Sequence, residues 1–131
     1  MKLASKHIFV TGGAKGIGEA IVRDAADEGA SVSFIDIDVA AGEKLASELS
    51  KLGKKVIFVK ANVANFEELK SAFNEAVSKF GEVTGVVNNA GVNSHADPVT
   101  MTDKEWDDFF AIDMKPVWLT AKLALPAMRK V

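Results

Sequence analysis

Three glycines and one carboxylate are the residues here whose type and spacing most clearly imply chemistry. Gly12, Gly16 and Gly18 punctuate Thr11-Gly12-Gly13-Ala14-Lys15-Gly16-Ile17-Gly18, which joins an apolar run to an amphipathic one. In such a loop one glycine permits a sharp turn, a second lets a phosphate approach the backbone, and a third lets a helix pack close to a strand. The helix opening near Gly16 would aim its free N–H groups and the positive end of its dipole at an anion. The spacing is G-x-x-x-G-x-G rather than G-x-G-x-x-G, and the Gly-Lys-Ser/Thr ending of a P-loop is missing. A glycine-rich turn without a ligand is the plain alternative. Asp36 closes the second apolar run, 18 residues past Gly18, where a carboxylate can accept from both hydroxyls of a ribose. Its plain alternative is a cap for the next helix, which Asp38 could equally supply.

Other chemistries have no residues to carry them. The chain has no Cys and no Tyr, and its two histidines, His7 and His95, stand far apart. Thiolate chemistry is excluded and no metal site is expected. His7, at the start of a strand, is expected at the surface, and His95 is expected solvated in a loop.

These residues need elements to position them. His7–Thr11, Ser31–Asp36, Lys55–Lys60 and Thr84–Asn88 are rich in Val, Ile and Phe, as parallel strands covered on both faces are. Amphipathic stretches lie between them, with stripes Ile17/Ile21/Ala25, Leu45/Leu49/Leu52 and Phe66/Leu69/Phe73/Val77/Phe80. Asp38 and Asn65 stand at N-cap positions, and Thr102-Asp103-Lys104-Glu105 opens a fourth helical region with a capping-box pattern and a bend at Pro116. Gly29, Gly53 and Gly81 each follow a helix, where a left-handed cap is expected. Right-handed crossovers then give an α/β, doubly wound, three-layer domain over residues 1–131, with parallel sheet order 3-2-1-4 and a ligand at the switch point between strands one and four. Of its 131 residues 48% are hydrophobic and 26% charged, with a net charge of −2. There is no basic stripe for nucleic acid and no stretch to span a membrane, so neither is an expected partner. With no Cys and no apolar leader, the expected location is the cytoplasm.

Thr11-Gly12 through Gly18 resembles the TGxxxGIG motif of the short-chain dehydrogenase/reductase family, and Asn88-Asn89-Ala90-Gly91 is similar to its NNAG motif. The stretch from Glu105-Trp106 to Thr120 resembles the helix that leads to the family's active site, so the likeness runs along the whole chain. It implies a Rossmann-type fold and NAD(P)-dependent hydride transfer between nicotinamide and a small alcohol or carbonyl substrate. Gly12, Gly16, Ile17 and Gly18 would meet the pyrophosphate. Asp36 favours NAD over NADP by repelling a 2'-phosphate, while Lys15 pulls the other way, because some NADP-using members carry a basic residue there. Asn62-Val63 stands where the family has Asp-Val against adenine; the amide of Asn62 can both accept and donate there, or Asn62 can be a plain turn residue. Asn89, Ala90 and Gly91 would lie against the nucleoside, with Asn88 tying neighbouring strands together. The family's catalytic Ser, Tyr and Lys have no counterpart in these residues. Asp113 falls where the family's proton relay has Asn, and a charged residue near a helix bend is the alternative there.

The resemblance also implies that these residues are the cofactor-binding front part of a longer enzyme, stopping before a fifth strand and inactive alone; a truncated, non-catalytic nucleotide-binding or interaction module is the alternative. The apolar residues from Val117 to Met128 exceed one stripe, which leads us to expect a homo-oligomer built on the fourth helical region.

Overall fold

Successive Val, Ile and Phe leave a strand no polar face, and four such runs pair side by side in one parallel sheet. They are β1 (His7–Thr11), β2 (Ser31–Asp36), β3 (Val56–Lys60) and β4 (Gly85–Asn88), in the expected order β3-β2-β1-β4. The molecule is described by a computed structural model that covers residues 1–92 and 97–131, so the expectation for His95 lies outside the described residues. Helices α1 (Gly16–Asp27), α2 (Val39–Lys51), α3 (Phe66–Phe80), α4 (Asp103–Asp113) and α5 (Lys115–Met128) complete the chain.

Alternate strand residues supply two cores, one on each face. Phe9 and Ile35 point towards Leu69, Phe73 and Leu119 of α3 and α5. Val10, Val32 and Phe34 point towards Val22 of α1 and Leu45 and Leu49 of α2. Asp38 accepts from the Ala41 N–H at 3.1 Å, Asn65 from Glu68 at 3.2 Å, and Thr102 and Glu105 form the reciprocal capping box, each satisfying helix donors that have no partner within their own helix.

The structure departs from the sequence reading at the stripe of α2, where Leu52 stands 68% exposed past the helix end instead of packing with Leu45 and Leu49, and in four further places. Ile17 is exposed, and the packed face of α1 is Gly18, Val22, Ala25 and Ala26, because small residues let this helix lie close to the sheet. Gly81 has φ 83° but ψ −172°, a glycine-only region that is extended rather than left-handed helical. The fourth helical region is two helices broken at Met114 (φ −115°, ψ −54°). Pro116 lacks the N–H needed to continue α4 and instead sits in the first turn of α5.

The last departure is His7, which is buried rather than at the surface. Its Nδ1 lies 2.8 Å from the Gly81 carbonyl and its Nε2 lies 2.7 Å from the Ser33 hydroxyl. A carbonyl can only accept, so Nδ1 carries the proton and, in the neutral ring, Nε2 accepts from Ser33. Phe80 packs edge-on against the ring at 5.5 Å. Burial pushes the His7 pKa below its ordinary 6.5, with the Gly81 contact opposing in part. The unfolded chain therefore takes up this proton more readily, and stability that is fully present above pH 6.5 is lost as the pH falls below it. Thermal melts between pH 7.5 and 5.5 should show a steeper loss of stability with acidification for the wild-type chain than for His7→Gln; parallel profiles would contradict this assignment.

Candidate functional site

The loops that leave the carboxyl ends of the four strands surround one cleft of about 350 Å³, at the low end of the range for small-molecule sites. Gly12, Lys15, Asp36, Asn62, Val63, Asn89, Ala90 and Gly91, all singled out in the sequence, line it together. Gly16, Ile17 and Gly18 lie beside it at the start of α1. Sequence reasoning missed the apolar walls: Ile35, Ile37, Ala61, Val92 and Ile112. Their signal was position, since four of them end a strand or stand within four residues of a strand end.

The glycine loop is built by close approach. Gly12 has φ +65°, and a β-carbon on it would stand 2.9 Å from the Ala90 Cα. A β-carbon on Gly18 would overlap the Gly12 carbonyl oxygen and reach within 2.5 Å of Asn89 Nδ2. Gly16 has φ +57° with open space around it, so only its backbone conformation requires glycine. No side chain caps the start of α1, unlike α2, α3 and α4, whose caps are filled by Asp38, Asn65 and Thr102. The N–H groups of that first turn face the loop without a side-chain acceptor, the arrangement that suits an anion.

Thr11 and Asn89 hold the two central loops together. The buried Thr11 hydroxyl accepts from the N–H groups of both Asn89 and Ala90, each at 3.0 Å. Asn89 Nδ2 donates to the Gly12 carbonyl at 2.9 Å. Asn88 joins β4 to α5 instead of tying strands by its side chain: its Oδ1 accepts from the buried Thr120 hydroxyl at 2.9 Å. At the far side, Asp113 Oδ1 accepts from the Val92 N–H at 2.7 Å and lies 3.3 Å from where a Gly91 β-carbon would stand. Asp113 thus anchors the loop after β4 to the end of α4.

Asp36 is fixed in place. Its Oδ2 accepts from the Ala14 N–H at 3.1 Å and its Oδ1 from the Asp38 N–H at 3.0 Å. A carboxylate has about four acceptor positions, so both oxygens keep capacity for further donors in the cleft. Lys15, also on the cleft, pairs with Asp38 at 3.1 Å. The Ala41 N–H, and after it Lys15, hold the Asp38 carboxyl below its ordinary range.

Comparison with known proteins agrees with this fold. The short chain dehydrogenase family matches residues 6–131. The chain belongs to that family. Mouse L-fucose dehydrogenase is 36% identical over 130 residues, covering 98% of this chain and 46% of the mouse protein. A 3-oxoacyl-[acyl-carrier-protein] reductase of Thermotoga maritima is 33% identical, covering 99% and 53%. Among solved structures, a Serratia marcescens short-chain dehydrogenase/reductase superposes with a TM-score of 0.93 at 35% identity, covering 98% and 53%. A blue fluorescent protein from a metagenomic library, in complex with NADPH, superposes with a TM-score of 0.92 at 28% identity, covering 98% and 53%. This short-chain dehydrogenase chain spans about half the length of the curated relatives it matches.

The two glycines of the helix start separate strain from overlap. Gly16→Ala should destabilise by about 1 kcal/mol, the strain of a left-handed alanine. Gly18→Ala should cost about 3 kcal/mol, from overpacking together with loss of the Asn89–Gly12 bond. Urea denaturation checks the order, and a Gly18→Ala chain as stable as Gly16→Ala would contradict it.

Proposed function

We propose that this chain binds a nicotinamide dinucleotide, NAD in preference to NADP, as the cofactor-binding part of an oxidoreductase acting on a small alcohol or carbonyl compound. The observation that carries the NAD preference is Asp36: a carboxylate held by two backbone N–H groups, with acceptor capacity left in the cleft. Two vicinal ribose hydroxyls supply the donors such a group needs, whereas a 2'-phosphate would meet a fixed like charge. Lys15, the residue that could have welcomed that phosphate, is engaged by Asp38. NADPH in a structural neighbour belongs to that protein, and the family as a whole uses both cofactors.

Bound, the dinucleotide supplies the hydride acceptor or donor. The chain's residues bind and orient. The uncapped start of α1 and the bare backbone at Gly12 receive the pyrophosphate. Val63 and Asn62 wall the base, and Asn89, Ala90 and Gly91 lie along the nucleoside. Asp113 is a positioning residue for the nicotinamide side of the cleft, through Val92; ionised, it donates no hydrogen bond and cannot copy an Asn donor. With no Tyr among the 131 residues, these residues alone supply no phenol for proton transfer, and turnover is proposed for the longer enzyme. Calorimetric titration should find NADH bound at least tenfold more tightly than NADPH, about 1.4 kcal/mol, with Asp36→Ala narrowing the gap. Equal affinity for both in the unmodified chain would refute the preference.

Association is the second part of the reading. Leu119, Thr120 and Ala124 of α5 face the core, while Trp118 and Leu125 stand 59% and 40% exposed on its other side and Val117, 47% exposed, lies at the edge of the core face. Trp106 of α4, 55% exposed, adds to them. A helix with one face buried and a second apolar face open favours a homo-oligomer through α4 and α5, with an interface near the standard size of about 1,600 Å². Trp118→Glu with Leu125→Glu should shift sedimentation at micromolar concentration towards monomer; a clean monomer for the unmodified chain would rule the assembly out.

A further inference from the structure

Asp113 carries a charge in a place where local helix chemistry opposes one. Its Oδ1 accepts from the Val92 N–H at 2.7 Å and lies 3.3 Å from where a Gly91 β-carbon would stand. Gly91, Val92 and Ile112 all line the cleft, so the partly buried carboxylate stands directly behind that wall. It is also the last residue of α4, where the negative end of the helix dipole disfavours an anion. The last turn of α4 holds no basic residue, and among the described residues no cation pairs with Asp113. Carboxylate and dipole therefore add, and this end of the cleft is negative. A local rule broken without local compensation points to a demand made by the site.

Sheet order indicates what the charge would meet. Asp36 ends β2, the glycine loop follows β1, and Gly91 and Val92 follow β4, and these strands lie side by side in that order. Resting on the dinucleotide reading above, the ribose at Asp36 and the pyrophosphate at the glycine loop leave the β4 side for the nicotinamide half. The oxidised nicotinamide ring is positively charged and the reduced ring is neutral, while the sugars and phosphates are the same in both forms. A carboxylate held on that side attracts only the oxidised ring, and its repulsion of the phosphates cancels from the comparison. We propose that Asp113 is a specificity-determining residue for the oxidation state of the cofactor, shifting the preference of the cleft towards NAD⁺. The charge favours the cofactor that has given its hydride to a carbonyl substrate over the one that has yet to do so.

Asp113→Asn separates charge from shape. The variant keeps an oxygen for the Val92 N–H, and so keeps the loop anchored, but is neutral. The full chain and the variant, each shown by melting to be folded, are titrated calorimetrically with NAD⁺ and with NADH. Titrations at about 0.01 M and about 1 M salt compare screening lengths of about 30 Å and about 3 Å. At low salt the substitution should weaken NAD⁺ relative to NADH by about threefold or more, the scale of one charge pair near a protein surface. At high salt that change should shrink. A merely structural Asp113 would move both affinities together, because its loop serves both forms. An NAD⁺-to-NADH affinity ratio unmoved by Asp113→Asn overturns the proposal, as does a change in the ratio that is equally large at high salt. If neither form binds the unmodified chain at millimolar concentration, the dinucleotide reading itself falls and takes this assignment with it.

Discussion

At Gly18 the backbone of α1 lies so close to the Gly12 carbonyl and the Asn89 amide that no β-carbon fits between them, and the shape of the cleft follows from that approach. It brings the first turn of α1 up to the end of β1, where Thr11 and Asn89 join the loops leaving the two central strands. β1 and β4 are neighbours although far apart in the chain, so their connections must run to opposite faces of the sheet. A crevice opens where they diverge. At the glycine loop the wall of that crevice is bare backbone because the packing there leaves no room for a side chain, while Ile35, Ile37, Val92 and Ile112 wall other parts of it.

Charge is distributed with similar economy around β2. Asp36 and Asp38 are two carboxylates two residues apart, yet each has its own partners. Backbone N–H groups hold Asp36, while Ala41 and Lys15 hold Asp38. The capping aspartate also pairs with the one lysine in the cleft lining among the described residues. Capping of α2 falls to Asp38, which leaves the Asp36 carboxylate on the cleft wall free of that role.

Much of this was legible in the sequence, for a physical reason. Parallel strands covered on both faces read as unbroken Val, Ile and Phe, and caps depend on residues only a few positions apart, so sheet order and helix starts could be placed. The glycine loop and Asp36 were legible because their spacing is local. What failed was long-range or volumetric. The packed face of α1 runs through Gly18 and alanines, which carry little hydrophobic signal, while Ile17 carries much and stands in solvent. Burial of His7 depends on Ser33 and Gly81, 26 and 74 residues away. The pairing of Lys15 with Asp38 is set by geometry that residue type leaves open.

The buried contact between His7 and Ser33 reaches beyond stability to the paths by which this sequence can change. Each side chain satisfies the other across adjacent strands, so replacing either one by an apolar residue strands a polar atom in the core of the sheet. Replacing both by apolar residues of matching volume removes that mismatch, although the Gly81 carbonyl loses its His7 donor. The two positions are thus coupled, with single substitutions disfavoured on either side of an acceptable double one. Gly81 contributes only a backbone carbonyl to the cluster and stands outside that coupling. Among relatives, positions 7 and 33 are therefore expected to alternate together between a polar pair and an apolar pair, leaving a covariation signal between two sites that hold no ligand.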